Sequence, residues 1–207
     1  MLPQIGNEHV GYAFQARTRE QGGWTLKSGR KSPLYFNLRL LRSDPRACDW
    51  ALTLYKHILD NLQDYDLVAD VPTAGTPIVA ILGWKLGVPM ISPRPAKQHG
   101  AKNTIDGIWT PGQTVVLIDD LVTDAGSKLE TAAILREKGL VVNDVVVLID
   151  REEGGREELA KHGLNLHAAM SGRWLVDLYW MHKMIGPEVC ADIQKYWAEL
   201  EAPVAAT

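Results

Sequence analysis

Residues Val115–Lys128 read VVLIDDLVTDAGSK. Four apolar, mostly β-branched residues open the stretch as a buried strand. The run that follows, SKLETAAILREKG over residues 127–139, has helical spacing and ends on a glycine. Between them stand two adjacent carboxylates, Asp119 and Asp120, and a small hydroxylated turn containing Gly126. Where a strand passes through a short loop into a helix, free backbone N–H groups converge and the helix dipole adds partial positive charge, so the turn suits an anion. Thr123 and Ser127 add hydroxyls, and Gly126 permits close backbone approach. Two acids beside an anion site cannot serve the anion. They suit the vicinal hydroxyls of a sugar, or a hydrated metal ion, and a ribose 5-phosphate unit would satisfy both halves. Taken alone, an acidic pair could equally terminate the strand and cap the helix.

Outward from this stretch, strands and helices alternate. Helical spacing runs from Pro45 to Leu62, and a short strand covers 65–72. A helix over 76–87 stops at Gly87, and a second strand covers 88–95. The central strand at 114–119 and the helix at 127–139 are followed by a strand at 142–150, a short helix at 156–164 and a fifth strand at 165–171. Such alternation implies βαβ units. The expected fold class is α/β, with a central mainly parallel sheet flanked by helices. Runs as uniformly apolar as VVLI and VVVLI belong to strands covered on both faces. Ligands of such sheets bind beyond the carboxyl ends of the strands. Asp70, Asp119, Asp120 and Asp150 fall there. The chain is expected to be a single domain over 1–207, with a small N-terminal hood at 1–44, the α/β core at 45–171 and C-terminal helices at 172–207.

The 207 residues carry a net charge of -3, are 46% hydrophobic and 23% charged, and fit an ordinary globular composition. A slightly acidic chain without an obvious basic patch argues against a nucleic-acid partner. No segment holds the ~18 continuous apolar residues of a membrane helix, and the first residues show no signal peptide. Cys48 and Cys190 are expected to be reduced thiols, and the expected location is the cytoplasm.

Three stretches together carry a family resemblance. VVLIDDLVTDAGS resembles the phosphoribosyl pyrophosphate (PRPP) signature of type I phosphoribosyltransferases, LKSGRKSPLYFNLR (26–39) resembles the N-terminal motif of orotate phosphoribosyltransferases, and IDREEGG (149–155) resembles their base-recognition motif. The resemblance covers most of residues 20–155. It implies the type I phosphoribosyltransferase fold and the conversion of orotate and PRPP to orotidine 5′-monophosphate and pyrophosphate in pyrimidine biosynthesis. Mg²⁺ would be the cofactor, held through PRPP and water and not by protein ligands. It assigns the ribose hydroxyls to Asp119 and Asp120, and the 5-phosphate to Thr123, Asp124, Ala125, Gly126 and Ser127. The turn at Thr73, Ala74 and Gly75 would bind pyrophosphate. Lys27 would approach both substrates. Tyr35 and Phe36 would stack on orotate near Thr123, and Arg151 would meet its carboxylate, a task suited to a guanidinium fork. The basic loop at 92–107, with Arg94, Lys97, His99 and Lys102, would be a lid that closes over the neighbouring subunit of a homodimer.

Plainer readings stand beside these. Tyr35 and Phe36 could be core, Arg151 could form a surface ion pair with Glu152 or Glu153, and the basic loop could be a solvated connection. The sequence also departs from the family pattern. Pro93, Arg94 and Pro95 replace the usual arginine, lysine and acid of the lid, and Asp124 stands where a small neutral residue is normal. Asp124 either repels the phosphate or points outward and caps the helix. These departures leave open a phosphoribosyltransferase for another base, or a non-catalytic PRPP or nucleotide-binding regulator.

Overall fold

A computed structural model describes residues 13–26, 29–62, 64–94 and 104–202. The chain divides into two compact units, one comprising residues 1–47 and 173–207 and the other residues 48–172.

In the first unit, strands β1 (Phe14–Ala16), β2 (Trp24–Thr25), β3 (Lys31–Ser32) and β4 (Leu34–Phe36) form two small antiparallel ribbons, β1 with β4 and β2 with β3. A 3-10 turn follows at Leu38–Ser43. Phe14 stacks on Tyr179 at 4.3 Å and tilts against Phe36 at 5.1 Å, so aromatic faces close this small core. Arg19 ties the ribbon region to a later helix through Asp192, at 2.8 Å, and Glu199, at 2.5 Å.

The second unit is built on six strands in the order β10-β9-β8-β5-β6-β7. They are β5 (Leu67–Asp70), β6 (Met90–Pro93), β7 (Ile105–Asp106), β8 (Thr114–Val122), β9 (Val141–Asp150) and β10 (Asn165–Ser171). All neighbours run parallel except β6 and β7. The helices are α1 (Pro45–Leu59, mostly in this unit), α2 (Thr76–Leu86), α3 (Gly126–Glu137) and α4 (Gly155–Lys161). Then α5 (Gly172–Met181) and α6 (Pro187–Glu201) belong essentially to the first unit. No helix among the described residues is long and apolar enough to cross a membrane.

The central strands are where the apolar runs predict them. Val115, Leu117, Val145 and Val147 are fully buried and share one cluster with Ala132 and Leu135 of α3. Gly87 ends α2 in the left-handed conformation, with φ 67°, as its position requires. Two differences matter for the site. First, β8 continues to Val122, so the acids lie within the strand and not past its end. Second, the expected 92–107 loop is shorter. Ser92 and Pro93 pair with Asp106 and Ile105, and the Arg94 amide donates to the Thr104 carbonyl at 2.7 Å. Both ends of the basic segment are therefore zipped into the sheet edge. A two-residue strand beside a polar run has no periodicity to reveal it.

Candidate active site

The parallel register levels the strand ends. Asp70 of β5 stands opposite Ile118 of β8, and Val122 stands opposite Asp150 of β9. The chain leaving β9 stays bound, because the Arg151 amide donates to the Val122 carbonyl at 3.1 Å. The acid pair, the turn after β5 and the base-motif stretch thus share one edge.

Adjacent strand residues point to opposite faces, so Asp119 and Asp120 have different surroundings. Asp119 is 4% exposed. Its Oδ2 lies 2.5 Å from Lys128 Nζ, and its Oδ1 accepts the Asp120 amide at 2.9 Å. The buried Tyr55 hydroxyl of α1 donates to the Asp119 carbonyl at 2.6 Å. Asp120 is half-buried, and its Oδ1 accepts the Leu121 amide at 2.8 Å. Burial first, and then the charge of Asp119, push the Asp120 carboxyl up to about 6, while Lys128 and the Leu121 amide pull it down.

The turn at 71–75 is fastened at both ends. The Val71 amide donates to the Ile118 carbonyl at 3.1 Å, and the Thr76 hydroxyl donates to buried Asp70. Thr73 is exposed, and the Pro72–Thr73 peptide is cis. Gly75 lies against the acid pair. A Cβ there would stand 3.1 Å from the Ile118 carbonyl oxygen and 3.5 Å from Asp119 Oδ1. A side chain there would need the Ile118 carbonyl to give by a few tenths of an ångström, so glycine suits this close approach.

Thr123 to Ser127 form the loop into α3. Ala125 caps the helix with φ 67° and accepts the amides of Lys128 and Leu129 through its carbonyl. Asp124 points its Oδ1 at the Gly126 amide, 3.2 Å away, and lies 3.5 Å from the Thr123 hydroxyl. Asp124 thus accepts the first amide of the helix, although the N-cap residue itself is Ala125 and no side chain caps the helix. Gly155 presses this loop from the far side, where a Cβ would stand 2.6 Å from Val122 Cγ2 and closer still to the Thr123 carbonyl oxygen.

Arg151 is 3% exposed, and its Nη2 lies 2.6 Å from Glu153 Oε1, which is equally buried. The expected alternative of an ion pair with Glu153 is realised, but inside the protein and not on its surface. Arg94 pairs with Asp106 at 2.6 Å on the exposed edge. In the first unit Phe36 is buried, whereas Tyr35 is half-buried with Trp24 stacked on it at 6.1 Å. Lys27, Lys97, His99 and Lys102 lie outside the described residues.

No family model matches the chain. It is 35% identical over 167 residues to the orotate phosphoribosyltransferase of Caenorhabditis elegans, covering 79% of this chain and 73% of that protein. The chain belongs to the orotate phosphoribosyltransferase family. Longer proteins share the family's domain. The uridine 5′-monophosphate synthase of Bos taurus is 33% identical over 180 residues, which make up 86% of this chain but only 38% of that protein. The solved UMP synthase of Leishmania donovani superposes with a TM-score of 0.82 at 30% identity, over 93% of this chain and 41% of that one. These matches place the sheet and its flanking helices in the type I phosphoribosyltransferase fold.

In this orotate phosphoribosyltransferase family member, sequence reasoning missed Lys128, Tyr55, Thr76 and Arg156. Arg156 Nε donates to Asp150 Oδ2 at 3.1 Å and its Nη1 to the Leu166 carbonyl at 2.8 Å, which steadies the end of β9. Lys128 was detectable. It keeps helical step with Thr131, Ala132 and Leu135, the buried face of α3.

Proposed function

We propose that the protein transfers the phosphoribosyl group of PRPP to orotate, releasing orotidine 5′-monophosphate and pyrophosphate. One observation carries this reading. A half-buried carboxylate, an N-terminal helix loop and a small-residue turn packed on Asp119 meet at one edge of the sheet. These three match a sugar's hydroxyls, its 5-phosphate and its leaving group. Breaking the bond from the anomeric carbon to pyrophosphate sends the electron pair out with pyrophosphate, and the orotate nitrogen bonds to the opposite face as its N–H proton passes to the released pyrophosphate or to water. Catalysis would consist of positioning and electrostatics, with no covalent protein nucleophile. The loop amides would hold the phosphate, Asp120 would accept the ribose hydroxyls, and the Thr73–Gly75 turn would seat the leaving group.

Among the described residues no cluster of three acids, histidines or cysteines is close enough to hold a metal ion. Mg²⁺ would enter on PRPP and water, where it would neutralise the departing diphosphate. We also propose a homodimer whose basic loop serves the partner's site. Trp84 is 83% exposed and Ile108 92% exposed, and each follows a glycine packed on Met90. Two large apolar side chains beside one strand suit an interface.

With Mg²⁺ and PRPP, purified protein should deplete orotate absorbance and sediment as two chains per particle. A panel of other bases separates a different specificity, and PRPP binding without turnover separates a regulator. No depletion under any condition removes the proposed reaction, and a single-chain particle removes the shared lid.

Asp124→Ser keeps an oxygen that can accept the Gly126 amide but removes the charge from the loop. Two like charges about 4 Å apart repel by about 1 kcal/mol in water and more in a protein, so KM for PRPP should fall about fivefold. An unchanged or higher KM would show that Asp124 does not oppose the phosphate.

A further inference from the structure

Lysine is almost never fully buried unless paired, yet Lys128 is 5% exposed in the first turn of α3. Its ammonium stands 2.5 Å from Asp119 Oδ2 and 3.4 Å from the Ser127 hydroxyl of the phosphate loop. With Oδ1 taken by the Asp120 amide, both oxygens of Asp119 are engaged inside the protein. Asp120 differs. Its Oδ1 accepts the Leu121 amide, and among the described residues its carboxylate forms no ion pair, whereas that of Asp119 pairs with Lys128. The two acids are adjacent in sequence but unequal in availability.

We propose that Lys128 is a positioning residue of the site: its buried ammonium clamps Asp119 and leaves Asp120 as the one acid of the pair open to a ligand's hydroxyls. The proposal deepens the phosphoribosyl-transfer reading and rests on it for the identity of the ligand. The ammonium also reaches the Ser127 hydroxyl, so one cation links the acid pair to the loop beneath the phosphate. The charged and titratable groups around Asp120 are Asp119, Lys128 and the Tyr55 phenol. Asp119 disfavours the ionised form of Asp120 and Lys128 favours it. Without the ammonium, Asp120 holds its proton to higher pH and offers a weaker acceptor at neutrality.

The test compares wild type with Lys128→Met, Lys128→Gln and Lys128→Arg. The Asp120 ionisation midpoint is read twice, by ¹³C NMR of the labelled carboxyl without substrate and as the acid limb of kcat/KM for PRPP. In the wild type the midpoint is expected at about 6. The neutral variants should raise it by about one unit. Their kcat/KM should recover toward the wild-type value as the pH rises, a recovery that mere structural damage would not produce. Lys128→Arg, which keeps the charge, should hold the midpoint within about half a unit. A folded neutral variant with an unmoved or lowered midpoint overturns the clamp. If neither neutral variant folds, the arginine variant decides: a midpoint within that half unit supports the clamp and a larger displacement overturns it. Because the NMR midpoint needs no substrate, a wild type without turnover would overturn the proposed reaction while still testing the clamp.

Discussion

Asp120→Asn should lower kcat/KM for PRPP at least tenfold at pH 7.5 and should remove the fall in activity below pH about 6. The amide has nearly the shape of the carboxylate, and its oxygen can still accept the Leu121 N–H, so the backbone has no reason to move. What disappears is the charge. Hydrogen bonds to a charged group contribute about 1.5–3 kcal/mol, roughly ten- to a hundredfold in rate when made in the transition state. The wild-type carboxyl titrates at about 6, above the ordinary 3.8, because burial and Asp119 resist its ionisation. A carboxyl raised in the folded state binds its proton more tightly there, so it favours folding at low pH, and that contribution fades as pH rises through about 6. Asparagine never ionises. The variant should therefore unfold at a higher temperature than wild type at pH 8, though it is less active, as expected where function holds a group in an unfavourable state. Steady-state kinetics and a melting curve on one preparation check both halves. Wild-type kcat/KM in the variant would remove Asp120 from the site.

Gly155→Ala should lower the melting temperature by about 10 °C and cost about a hundredfold in kcat/KM. The added Cβ would meet Val122 Cγ2 at 2.6 Å and press on the Thr123 carbonyl oxygen even more closely. Backbone cannot swing away as the end of a long side chain can. Overpacking of this kind typically costs 1–3 kcal/mol, and the displaced residue leads directly into the phosphate loop. Gly186→Ala is the control, because Gly186 has a negative φ of -79° and open space around its Cβ position. It should melt close to wild type. Equal melting of the Gly155 variant and wild type would mean that the base-motif turn does not support the loop.

The parts legible in the sequence are those whose residues interact locally or repeat. Val115–Ile118 and Val145–Ile149 form buried strands because nothing in them tolerates water, and Gly87 stops α2 because it can adopt a left-handed turn. The acid pair and its loop were legible because strand, turn and helix follow one another without interruption. Less legible was anything decided by a partner distant in sequence. Arg151 is charged and lies next to two acids, which suggests a solvated group, yet packing buries it with Glu153. Lys128 suggests an exposed residue until its step with Leu135 is noticed. The short strands of the first unit have too few residues for any period, and they meet through residues distant in sequence, such as Phe14 with Phe36.

The antiparallel pairing of β7 with β6 bears on how the molecule behaves in a crowded solution. β7 forms one border of the six-stranded sheet and is two residues long. A border strand displays unsatisfied amides and carbonyls that can template the addition of a foreign chain. Here that display is brief, and Asp106 on it is exposed and paired with Arg94. An intruding strand would gain only a hydrogen bond or two and would have to disturb an ion pair, so the brevity of β7 and the Arg94–Asp106 pair blunt this border against aggregation.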